Sequence, residues 1–331
     1  MARLASAIAL AGVVLFGAGS AVASKTLTTP TFKTYLKATH SVVSQITRGP
    51  DGRMWFTEDY ADQLGAITDA GVVKHYRTGG KGRHPNTIVV GPDQKLWYTL
   101  YSSAGKVGRM TTAGIRAEAS TGAVPQSLVG SGVGAGNSLW VGGEFSQLWQ
   151  LNTDGGTVRH LQPPDLAASR IPSGFVAGSD DRTWVNLGLY LAAIDQTGTI
   201  TEYTVGYRPN PKIRNLVLGP DGNIWFTDSQ ELTRIGAIGR ITPAGTVTYF
   251  QHGLKKGSAP LGITVGPDRN LWFTENRGGP HVGRITTKGV ITLYKIPLPA
   301  SYTATAIARG KGRHLWVASN GLQGLVRVAV P

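Results

Sequence analysis

Carboxylates and imidazoles recur at one kind of place in this chain. Glu58, Asp228 and Glu275 each end a short apolar run that carries a tryptophan, while His84, Asn86, Arg214, Arg277 and His281 sit in or beside the connections around such runs. Carboxylates suit a hard divalent cation such as magnesium or calcium, an imidazole can take a proton near neutral pH, and a guanidinium can grip an anion. His84 is therefore the candidate general base, and Glu58 and Glu275 are the candidate metal ligands. Asn86, Arg214, Asp228, Arg277 and His281 are the candidate ligand contacts. Each has a plainer reading. His84 reads equally as a loop histidine in solvent, Glu58 and Glu275 as strand-end acids taking backbone N–H groups or an arginine, and Arg214 as a solvated charge. His40 lies near a strand start with no readable direction. His75, His160 and His252 fall on or beside outer strands and read as surface residues.

The elements that must position these groups are set by a repeat. Trp55, Trp97, Trp140, Trp184, Trp225, Trp272 and Trp316 recur at spacings of 42, 43, 44, 41, 47 and 44 residues, a period that betrays a propeller. The sixth unit shows the grammar. An inner strand from Gly262 leads into the turn Gly266-Pro267-Asp268-Arg269, then the tryptophan strand Leu271 to Glu275, a third strand from Val282 to Thr286 and an outer strand from Val290 to Ile296. Proline presets φ in that turn, and the aspartate can bond the following backbone. Gly49-Pro50-Asp51, Gly91-Pro92-Asp93 and Gly219-Pro220-Asp221 repeat it, whereas units three and four are degenerate. The last unit stops at Pro331 after its third strand, and Thr31 to Leu36 resembles a spare outer strand. The expected fold is an all-β, seven-bladed β-propeller of four-stranded blades, with the N-terminal strand pairing with the C-terminal blade to close the ring and hide an edge. Inner-strand starts and tryptophan-strand exits then share one end of each blade, so the candidate residues can converge on the channel mouth.

Composition narrows the rest. The chain has 331 residues, no cysteine and 45 glycines, and carries a formal charge of +14. Disulfides, thiol nucleophiles and Cys-ligated metals are excluded. Residues 1–23 read as a signal peptide, with Arg3, an apolar run from Leu4 to Ala18 and Ala21-Val22-Ala23 as the cleavage signal. The alternative is an uncleaved anchor. Residues 24–331 form the propeller, expected to be exported, periplasmic or secreted, and monomeric, with no transmembrane segment after cleavage. The positive charge draws polyanions without specificity, but it is scattered and no recognition helix is present, so nucleic acid is an unlikely partner. Serine-hydrolase, phosphate-loop, zinc-protease and calcium-loop motifs are absent.

The repeat also resembles the virginiamycin B lyase (streptogramin lyase) family, most closely over Pro260 to Glu275, Val282 to Thr286 and Gly289 to Tyr294. That resemblance implies magnesium-assisted elimination at the ester of a cyclic depsipeptide, with a histidine base and glutamates on the metal. It places a histidine at the start of the sixth inner strand, a Glu-Pro-His triplet at the seventh and a glutamate after the seventh tryptophan strand. Here those positions hold Leu261, Thr303-Ala304-Thr305 and, near the last, Ser319 and Asn320. The expected function is binding of an anionic small molecule, envelope polymer or protein at the channel mouth. The alternative is a metal-assisted carbon–oxygen lyase or lactone hydrolase that opens a cyclic ester such as a B-type streptogramin.

Overall fold

A computed structural model describes residues 15–16, 29–36, 38–101, 105–121, 127–162, 171–205, 212–229, 236–277, 279–321 and 323–331. Apart from Leu15–Phe16, which run parallel beside Val247–Phe250, the expected leader 1–23 lies outside these residues.

The chain is an all-β propeller of four-stranded blades. The first unit is an antiparallel meander of Ile46–Arg48, Met54–Glu58, Gln63–Ile67 and Val73–Arg77. The sixth repeats it with Pro260–Val265, Leu271–Glu275, His281–Ile285 and Ile291–Lys295. The expectation of seven separate sheets is corrected at units three and four. Their inner strands, Leu128–Gly134 and Gly174–Ala177, pair in parallel from Ser131–Gly174 to Val133–Val176 and fuse the two into one eight-stranded sheet. Missing side chains make this possible. A Cβ at Gly132 would lie 2.1 Å from the Phe175 carbonyl oxygen, and one at Gly130 would lie 2.2 Å from that of Pro172. In the last unit, Thr31–Tyr35 pairs antiparallel with Gly324–Ala329 as the fourth strand beside Thr303–Arg309 and His314–Asn320.

The repeated motifs are packing devices. In five units the turn aspartate accepts a hydrogen bond from the indole N–H four residues on, at 2.8–3.2 Å, between Asp51 and Trp55, Asp93 and Trp97, Asp180 and Trp184, Asp221 and Trp225, and Asp268 and Trp272. Degenerate unit three substitutes the Ser138 hydroxyl, 2.8 Å from Trp140 Nε1. The Gly-Arg pair of the third strand serves the same layer. A Cβ at Gly283 would meet the Phe273 ring at 2.1 Å, and Arg284 Nε donates to Asp268 at 2.7 Å. Arg109 and Arg240 lie over Trp97 and Trp225 at 5.3 and 5.5 Å, within cation–π range. Arg109, Arg240 and Arg284 are thus held against this layer.

Candidate functional site

Inner strands and the segments that feed them line a cavity of about 660 Å³. Its wall runs from Gln45 and Asn86 through Ser173 and Arg214 to Leu261 and Thr305. Among the described residues, the charged wall residues are Lys212 and Arg214, and no carboxylate or imidazole is on the wall. Hydroxyls, amides and backbone supply the remaining polarity, which suits an anionic or neutral polar molecule. Arg214 is oriented by Ser229, whose hydroxyl accepts from Nε at 2.9 Å. Thr57 Oγ1 donates to the Asn86 carbonyl at 3.0 Å and so ties unit one to unit two beneath the wall.

Of the eight sequence candidates, Asn86 and Arg214 reach this wall. The three acids are at the strand ends, as expected, and each holds a backbone N–H. Asp228 Oδ1 accepts from Lys212 N–H at 2.8 Å, Glu275 Oε1 from Ala259 N–H at 2.6 Å, and Glu58 Oε1 from His40 N–H. Each fixes the segment that feeds the inner strand of its own unit. In unit four Asn186 does the same, its Oδ1 accepting from Ser173 and Gly174 N–H at 2.8 and 3.1 Å. Burial pushes the Glu275 carboxyl above its ordinary value, an effect that the N–H groups of Ala259 and Arg277 only partly offset. Arg277 is exposed, and its own N–H lies 3.2 Å from Glu275 Oε1.

The two histidine candidates lie off the wall. His84 has φ 48°, with its N–H on Asp62 Oδ1 and its Nδ1 on Asp59 Oδ1, both at 2.9 Å. His281 is buried, its Nδ1 lying 2.9 Å from the Gly279 carbonyl and its Nε2 accepting from Lys255 Nζ at 3.0 Å. Burial, then the charges of Lys255 and Lys295, pull its pKa below the usual imidazole value.

One grouping escaped the sequence reading. His75, expected at the surface, is half-buried, with Nδ1 2.7 Å from Glu58 Oε2. His40 stacks on it with ring centroids 3.9 Å apart. A strand-period count places His75 on a face but not opposite a partner 17 residues away, so the signal was confined to its sharing the unit of Glu58.

The positions where the family resemblance implies a base are on or near the wall without one. Leu261 and Thr305 line it, and the Thr305 hydroxyl donates to the Ala318 carbonyl at 3.3 Å. Ser319 Oγ and Asn320 Oδ1 are buried without a partner, yet both are neutral oxygens where magnesium chemistry calls for a carboxylate. These residues do not fit the metal the family implies. Among the described residues no helix is long and apolar enough to cross a membrane.

The chain is 23% identical, with TM-score 0.80, to a streptogramin B lyase structure, over 93% of this chain and 100% of that one. It is 24% identical, with TM-score 0.81, to a catalytically inactive histidine-to-alanine virginiamycin B lyase from Staphylococcus aureus with quinupristin, over 91% and 100%. A putative gluconolactonase is more distant, at 15% identity and TM-score 0.55 over 96% and 94%. No match was found among curated proteins. The virginiamycin B lyase family profile matches residues 18–205 and 166–330, so that nearly the whole chain is accounted for, and the protein belongs to the virginiamycin B lyase family.

Proposed function

We propose that this protein is a binding propeller that holds a small organic anion in its central cavity, and that it has left the streptogramin-opening reaction. The observation that carries this reading is the wall itself, which among the described residues presents Lys212 and Arg214 but no carboxylate or imidazole. Elimination next to a carbonyl needs a positioned base and a charge stabiliser, and Leu261 and Thr305 supply neither. On this reading the seven tryptophan units count as seven blades. The pairing of Thr31–Tyr35 with Gly324–Ala329 supports ring closure, as does a cavity whose lining draws residues from every unit. Residues 1–23 export the chain, and residues 24–331 form the propeller outside the cytoplasm.

Calorimetric titration with citrate, gluconate and inorganic phosphate at low salt tests the binding claim. At least one anion is expected to saturate, and Arg214→Ala should weaken it about tenfold, equivalent to ~1.4 kcal/mol. Absence of saturable binding, or equal affinity in the variant, overturns it. Incubation with a B-type streptogramin and magnesium should leave the antibiotic intact by chromatography. A ring-opened product of unchanged mass would show that the lyase reaction survives.

A further inference from the structure

We propose that His40, Glu58 and His75 bind one divalent first-row transition-metal ion, with zinc the fitting probe. This site is separate from the central cavity, whose wall includes none of the three. Each residue offers a ligand atom, and these atoms all lie within 4.8 Å of one another. Two imidazoles and one carboxylate form a ligand set suited to zinc, with metal–ligand bonds of about 2.0–2.2 Å, so the site needs a modest contraction.

The three groups differ in freedom, and the difference matters. Glu58 is buried and anchored through Oε1 to the His40 N–H, which leaves Oε2 directed at His75 Nδ1, 2.7 Å away. His40 is exposed, and Gln63 Oε1, 3.2 Å from its Nδ1, steadies its ring. The rings stack with 19° between planes, and a metal takes each imidazole through a ring-nitrogen lone pair. On binding, any proton at the coordinating His75 nitrogen would pass to the other ring nitrogen or to solvent. The carboxylate neutralises half of the ionic charge.

The ligand types also choose the ion. Imidazole favours zinc, copper and nickel over magnesium and calcium, which prefer oxygen. The position gives the ion a structural consequence. His40 lies between strand Thr31–Tyr35, paired with the last unit, and inner strand Ile46–Arg48, while Glu58 and His75 belong to the second and outer strands of unit one. One ion would therefore clasp the connection between the last and first units.

The test uses untagged, chelator-treated full-length protein. Cobalt(II) should give the visible absorption of a low-coordinate site at one equivalent, and zinc should displace it and raise the melting temperature. His75→Ala and His40→Ala should each weaken zinc at least tenfold, while His84→Ala should not. Circular dichroism checks that the variants fold, and they leave the backbone N–H bond to Glu58 intact. Magnesium and calcium at millimolar concentration should not displace cobalt. Equal zinc affinity in wild type and His75→Ala, no saturable cobalt signal, or displacement by magnesium would each overturn the assignment.

Discussion

Glu275 and His281 face each other across neighbouring strands of unit six, and both are held in their neutral direction by burial. Their effects on stability have opposite signs. Glu275 has a folded pKa above its ordinary 4.5, so the protonated form is favoured in the fold, and stability falls as pH rises from that region through the folded value. Glu275→Gln keeps an oxygen for the Ala259 N–H and removes the titration, so its melting temperature should lose the decline seen in the parent above about pH 4.5. His281 has a folded pKa below 6.5. Its contribution is complete above pH 6.5 and is lost as pH falls through the folded value, because charging the ring costs the acceptor for Lys255 and adds a third positive charge beside Lys255 and Lys295. His281→Gln should flatten the acid side of the melting-temperature profile below about pH 6.5. A parallel fall in parent and variant would show that other groups govern that limb.

At the scale of the element, the repeated turn and tryptophan strand form one hydrogen-bonded unit. Asp268 accepts from Trp272 Nε1 at 2.9 Å, Arg284 Nε at 2.7 Å and Asn270 Nδ2 at 2.9 Å. Burial opposes its ionisation, but these donors outweigh burial and hold the carboxyl below its usual range. Asp268→Ala strands a buried indole N–H and should cost about 1–3 kcal/mol in urea unfolding. Asp268→Asn retains an acceptor and should cost less; an equal loss would assign the effect to backbone turn geometry. This layer was legible from sequence because glycine, proline, aspartate and tryptophan occupy fixed offsets. The eighth tryptophan, Trp149, and the seventh turn, Gly310-Lys311-Gly312, break the rule, and Trp316 Nε1 is correspondingly buried without a partner. What stayed hidden were contacts whose partners come from different strands. The Glu58–His75 pair is one, and the parallel pairing at Gly132, permitted by an absent side chain, is another.

Across the whole molecule, the N-terminal strand replaces what the C-terminal unit lacks, side chain by side chain. Tyr35 stacks on Trp316 with centroids 5.2 Å apart, as Tyr76 does on Trp55 at 4.9 Å and Tyr203 on Trp184 at 5.1 Å, each from the outer strand of its own unit. Phe32 packs against the cluster containing Val326 and Val328. Arg327 Nη1 donates to the Asp69 carbonyl of unit one at 2.6 Å, as does the Tyr35 hydroxyl at 3.3 Å, so the same strand pair also abuts the first unit. Removing residues 1–36 would uncover the backbone edge of Gly324–Ala329 and the face of Trp316 together, and an open edge recruits another strand. The shortened chain should melt well below the parent and self-associate in light scattering after size exclusion. Tyr35→Ala keeps the ladder and loses the stack, so it should lower the melting temperature while remaining unassociated. A shortened chain with the parent's melting temperature and size would mean that the blades hold without this strand, and the tryptophan–tyrosine stack would then be packing that the last unit can forgo.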